Sequence, residues 1–138
     1  MGSKNRIYLG ILTGLILHKM RNIFQKNELF ITKQKKNKIK HKHPEEYKLL
    51  IHHHFQQILD NTVATCEYSL EDNLYNFLSW SANQEKYLLY SISTNNHNLE
   101  LGTIFFASKK QLRKCKRENN LTFLNRGFEE AFERYINC

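Results

Sequence analysis

IYLGILTGLIL, residues 7–17, contains no charged side chain, whereas Lys4 and Arg6 stand before it and His18, Lys19 and Arg21 follow at once. Its reading decides how the rest of the chain is divided. As a helix rising about 1.5 Å per residue it covers about half of a hydrocarbon core roughly 30 Å thick. Including Met20, Ile23 and Phe24 lengthens the apolar surface, provided that Lys19 and Arg21 snorkel from within it. A cleavable signal is disfavoured, because HKMRNIF offers no small-residue cleavage site and carries positive charge. N-myristoylation is disfavoured too, since Arg6 stands where the motif asks for Ser or Thr. Gly10 and Gly14 form a GxxxG pair, a spacing that means something only inside a true span. The segment is therefore expected to be a membrane-anchoring helix, with Ile7, Leu9, Ile11, Leu12, Leu15 and Ile16 as its apolar surface.

The charge distribution supports this division. The net charge is +8 over 138 residues, yet residues 1–43 hold eleven Lys or Arg against the single acid Glu28, and residues 44–138 hold ten against twelve acids. An anionic partner is thus expected to meet the N-terminal third. Within it, KQKKNKIKHKH, residues 33–43, carries Lys33, Lys35, Lys36, Lys38, Lys40 and Lys42 with Ile39 as its one large apolar side chain. Like charges at this density repel and present no face to bury, which predicts a mobile basic linker. Beside an apolar anchor such a tract lies against headgroups, each Lys contributing about 1 kcal/mol. Nucleic-acid phosphates attract the same charges, although the tract lacks the interleaved aromatics that base stacking uses.

From Pro44 the pattern becomes that of a folded domain. PEEYKLLIHHHFQQILDN opens with Pro at a first helical turn beside Glu45 and Glu46, and an apolar stripe follows at helical spacing. TVATCEY, 62–68, suits a short strand. Ser69 and Asp72 have capping-box spacing, and Leu70, Leu74, Phe77 and Leu78 behind them predict a second helix to about Ser81. KYLLYSIST and LELGTIFFA, separated by a turn cluster at NNHN, read as an antiparallel hairpin at about 86–107. Ser108 caps a basic segment, KKQLRKCKR, and LNRGFEEAFERYI closes the chain as a helix. The expected fold is α+β: an apolar helix (1–25), a basic linker (26–43) and a small domain (44–138) in which strands cluster in sequence.

NQEKYLLYSIST followed by LELGTIFFA, with PEEYKLL upstream, resembles a bacterial family common in cyanobacteria whose members are N-terminally anchored small domains with no assigned activity. The resemblance covers about residues 44–107 and implies an anchored domain on the far side of a membrane, with no chemistry attached. This chain departs from that pattern in its Lys tract and in the extension after Ala107. The heavier positive flank after the apolar stretch instead favours the cytosolic side.

Motifs for chemistry are sparse. His52, His53 and His54 are consecutive, so on a helix they point about 100° apart and cannot converge on one ion; no metal and no cofactor are expected. Cys66, Cys115 and Cys138 show no ligand spacing. No GxSxG elbow or phosphate-cradling loop occurs. The sequence therefore points away from an enzyme and toward a membrane-associated accessory protein. Its expected partners are headgroups and a protein bound by the C-terminal domain. A soluble basic RNA-binding or ribonucleoprotein component is the alternative.

Overall fold

The computed structural model describes residues 5–14, 16, 26–66, 74–95, 98–118 and 121–138. Seven strands form one mixed sheet: β1 (Arg6–Ile11), β2 (Glu28–Thr32), β3 (Thr62–Cys66), β4 (Leu74–Ser81), β5 (Lys86–Asn95), β6 (Asn98–Phe106) and β7 (Thr122–Phe123). Among the described residues five helices of four residues or more accompany it: α1 (Lys33–Lys42), α2 (Pro44–Tyr47), α3 (His52–Asp60), α4 (Lys109–Glu118) and α5 (Arg126–Ile136). The strand order is β1-β2-β6-β5-β4-β3-β7. All neighbours are antiparallel except β2 and β6, which run parallel with Leu29 opposite Leu99.

The N-terminal expectation is overturned. Arg6–Ile11 is a strand that pairs with β2, Arg6 opposite Thr32 and Ile11 opposite Glu28. Leu9, Leu12 and Ile16 are fully buried in the same cluster as Phe77 and Tyr90, and Ile7 packs against it. Ile11 is 39% exposed, and Leu15 lies outside the described residues. No described helix is long and apolar enough to cross a membrane. The physical reason is that a short apolar run has no period by which to tell a buried strand from a helix. Gly10, which would cost about 1 kcal/mol in a helix interior, lies within β1, and Gly14 stands beyond the end of that strand. Gly10 also needs its bareness, since a Cβ there would stand 2.6 Å from Gln56 Oε1.

The basic linker is overturned as well. Residues 33–42 form α1, which the Thr32 hydroxyl caps by accepting the Lys35 N–H at 3.1 Å, and Ile39 is only 5% exposed. The single apolar residue in the tract is its point of attachment. The sheet thus runs across the division expected at Pro44, because β2 joins β6 directly.

Helices cover both faces. Along β5 the side chains alternate, Leu88, Tyr90 and Ile92 entering the cluster under α1, α2 and α3, and Tyr87 and Leu89 the cluster under α4 and α5. That double burial explains the near-continuous apolar run KYLLYSI. A polar chain ties the layers together: Thr62 donates to the Ile58 carbonyl (3.1 Å), so the Tyr90 hydroxyl donates to Thr62 Oγ1 (2.6 Å), and Ser79 also donates to Ile58 (2.8 Å).

Both sheet margins near the N-terminal hairpin are sealed by side chains. Gln56 accepts the Ile11 N–H (2.8 Å) and donates to the Ile11 carbonyl (2.9 Å), so its carboxamide stands in for a further strand. Thr13 donates to Asp60 at 2.6 Å nearby. Beyond the end of β2, the carboxylate of Glu46, 7% exposed, accepts the Phe106 N–H at 2.9 Å.

The helix expected to run on from Pro44 is broken between Tyr47 and His52. The helix expected to reach Ser81 is instead strand β4, and its proposed cap, Ser69 and Asp72, lies outside the described residues. The hairpin is present as β5 and β6, Asn95 opposite Asn98.

Candidate nucleic-acid interface

α1 violates a rule of helix construction. Its first turn holds Lys33, Lys35 and Lys36 and no acid, although the positive end of the helix dipole disfavours cations there. Lys40, His41 and Lys42 suit the last turn. The Thr32 cap, the buried Ile39 and the Tyr47 ring offset that repulsion; Lys36 and Lys40 each place Nζ 5.7 Å from the centre of this ring. Among the described residues, no lysine of α1 lies in an ion pair with a carboxylate. A helix carrying six cations with no carboxylate ion-paired to them among the described residues sacrifices stability, which is the kind of local conflict found at functional positions.

At about 100° per residue the six lysines divide into two rows. Lys33, Lys36 and Lys40 lie along one flank and Lys35, Lys38 and Lys42 along the other, with Ile39 at the base between them. Lys35 and Lys36, nearest the base, are half-buried; the other four are exposed. Gln34, Asn37 and His41 form the outer crest and are exposed. Arg6, opposite the capping Thr32, adds a cation at the helix start: its guanidinium lies 5.0 Å from the Phe30 ring centre, with Nε and Nη1 buried and without a hydrogen-bond partner among the described residues.

The second basic helix is built differently. In α4, Arg113 donates to the Ile136 carbonyl, Lys116 pairs with Glu133, and Lys109 donates to the Cys138 carbonyl at 3.2 Å while lying 5.1 Å from the Tyr135 ring centre. Half of its cations thus fasten α4 to α5. Lys110, Lys114 and Arg117 are exposed, but α4 packs on the opposite face of the sheet from α1. The two helices do not form one basic surface.

A cleft of about 600 Å³ opens between α5 and the sheet, lined by Trp80, Tyr87, Tyr135, Phe128, Arg134 and Cys138 among others. Trp80, Tyr87 and Tyr135 meet edge to face at 4.7–5.7 Å. Burial pushes the Tyr87 phenol above its ordinary pKa, Tyr135 adds to the rise, and Arg134 opposes it. Lined chiefly by aromatic and apolar side chains, this cleft suits a flat apolar group. Phe128, Ala131, Arg134 and Tyr135 of α5 line it together with Val63, Trp80 and Tyr87 from three strands, a combination that no local motif announces.

The six lysines singled out from the sequence are therefore brought together on one helix, whereas of the residues assigned to a membrane anchor Ile7, Leu9 and Ile11 lie in β1 and Leu9, Leu12 and Ile16 in the core. The crest, Gln34, Asn37 and His41, has no signal in the sequence beyond its i, i+3, i+7 spacing. Among the described residues, no three His, Cys, Asp or Glu side chains gather as a metal site. His54 is exposed and packs on His53 at 4.2 Å. No protein-family model, no curated protein and no solved structure matches the chain.

Proposed function

We propose that this is a non-catalytic nucleic-acid-binding protein that holds phosphate backbones through α1. The observation that supports it is the placement of six lysines, with no carboxylate partner among the described residues, on a helix fixed to the core by one isoleucine. A merely structural helix gains nothing from such repulsion, whereas a polyanion converts it into attraction and counterion release. The competing reading as a headgroup-bound accessory protein has lost its anchor, and the crest of α1 carries no apolar side chain to enter a lipid interface.

Fluorescence anisotropy with a labelled 20-base-pair duplex, titrated between about 50 and 200 mM salt, tests this reading. Up to six phosphate contacts give a slope of log K against log salt of at most about −5. Replacing Lys33, Lys36 and Lys40 together by Gln is expected to halve that slope. The proposal fails if the chain binds neither duplex nor single strand at about 50 mM salt. It fails equally if the chain sediments with vesicles rich in anionic lipid while ignoring nucleic acid.

A further inference from the structure

Resting on that reading, we infer that α1 enters the major groove of B-form DNA, its crest toward the base edges and its two lysine rows toward the phosphates of opposite strands. Dimensions select the groove. A helix with its side chains is about 10–12 Å across, and the B-form major groove is about 12 Å wide, against about 6 Å for the minor groove. The major groove of A-form RNA is deep and narrow and closes to a helix. Single strands would call for platforms of large aromatic rings, and the Tyr47 ring lies under Lys36 and Lys40 on a flank rather than at the crest.

The division of side chains matches this placement. A helix in a groove needs cations on both flanks, because a phosphate strand lies on each side, and shorter hydrogen-bonding side chains at the crest, where base edges are met. α1 has three lysines on each flank and Gln34, Asn37 and His41 between them. Long lysines reach outward from beside the base, while the crest keeps the shorter side chains. The carboxamides of Gln34 and Asn37 suit the N6 donor and N7 acceptor of adenine, a bidentate pairing that no other base offers in that order. From residue 34 to residue 41 the crest extends about 10 Å along the helix, which corresponds to about three base pairs. The rigidity of the element supports the same conclusion: a helix capped by Thr32 and seated by Ile39 presents its crest without paying the ordering entropy of a disordered arm.

The experiment is selection of duplexes by the full chain from a randomised 12-base-pair library, followed by affinity measurements on the enriched duplex, a scrambled duplex of equal length, and the enriched sequence as double-stranded RNA. Expected is an adenine-containing preference over about three base pairs, with the enriched DNA bound at least about tenfold tighter than the scramble. The RNA should be bound more weakly than either. Asn37→Ala and Gln34→Ala, both at exposed positions, should each pull the enriched-to-scrambled ratio toward one, with circular dichroism reporting an intact fold. If duplex binding depends on the lysines but no sequence is enriched, or the ratio survives both substitutions, or A-form RNA binds as tightly as DNA, the groove placement is wrong and the nucleic-acid reading stands. If no polyanion binds at all, both fall.

Discussion

Replacing Leu12 by alanine separates an N-terminal stretch that belongs to the sheet from one that finds apolar surroundings elsewhere. Leu12 is fully buried among Leu9, Ile16 and the strands. The substitution removes three carbons, each worth about 0.8 kcal/mol of transfer, and the space left behind raises the total to about 3–4 kcal/mol. Neighbouring Ile11, 39% exposed, should lose about 1 kcal/mol when truncated to alanine. With a urea m-value near 2 kcal/mol/M, the Leu12→Ala midpoint falls by about 1.5–2 M and the Ile11→Ala midpoint by about 0.5 M. Equilibrium unfolding followed by circular dichroism and by tryptophan fluorescence measures both, Trp80 being the only tryptophan in the chain. A Leu12→Ala midpoint within about 0.3 M of wild type would refute the sheet-bound reading.

Two further predictions concern the centre of the sheet. Gly102 faces the buried Ser91 Oγ, which has no hydrogen-bond partner among the described residues, and a Cβ at 102 would stand 2.8 Å from it. Gly102→Ala should therefore destabilise by about 1–3 kcal/mol, Ser91→Ala should lie within about 0.5 kcal/mol of wild type, and the double variant should recover more than half of the loss; additive losses in that cycle would show that the close approach is not the cause. Burial pushes the Tyr90 phenol well above its ordinary pKa. The unfolded chain then gives up that proton first, so the contribution is intact below about pH 10 and is lost above it at up to about 1.4 kcal/mol per pH unit. Tyr90→Phe should cost about 1 kcal/mol at neutral pH and close the gap to wild type as pH rises. Parallel stability curves for the two proteins between about pH 9 and 11.5 would contradict the buried phenol.

The elements best legible in the sequence were those whose period or punctuation was unambiguous. The β5–β6 hairpin announced itself by two aromatic and β-branched runs around NNHN, and α5 by Phe128, Phe132 and Tyr135 on one side. Two competing effects defeated the rest. Leu74, Phe77 and Leu78 fit a helical face, but pairing with β5 from Leu74↔Ser93 to Ser81↔Lys86 makes them a strand, tertiary hydrogen bonding overriding local spacing. The apolar stretch at 7–17 was read by its composition, while its partner β2 was set aside as part of a basic linker. Composition also misjudged α1: one isoleucine among six lysines suffices to seat a helix when a capped strand end delivers it to a core. The candidate site was half legible, because the lysines stood out by charge and the crest only emerges once residues 33–42 are known to be helical.

The parallel pairing of β2 with β6 has a consequence during synthesis. Leu29 waits for Leu99, 70 positions later, so at roughly 5–20 residues per second the hairpin leaves the ribosome roughly 4–14 s before its neighbour has been made. Throughout that interval Leu29 and Ile31 lack the strand beside which they are buried in the finished fold. Closure of the core then rests on how soon the late strand arrives, and slowed translation between the two would extend the exposure.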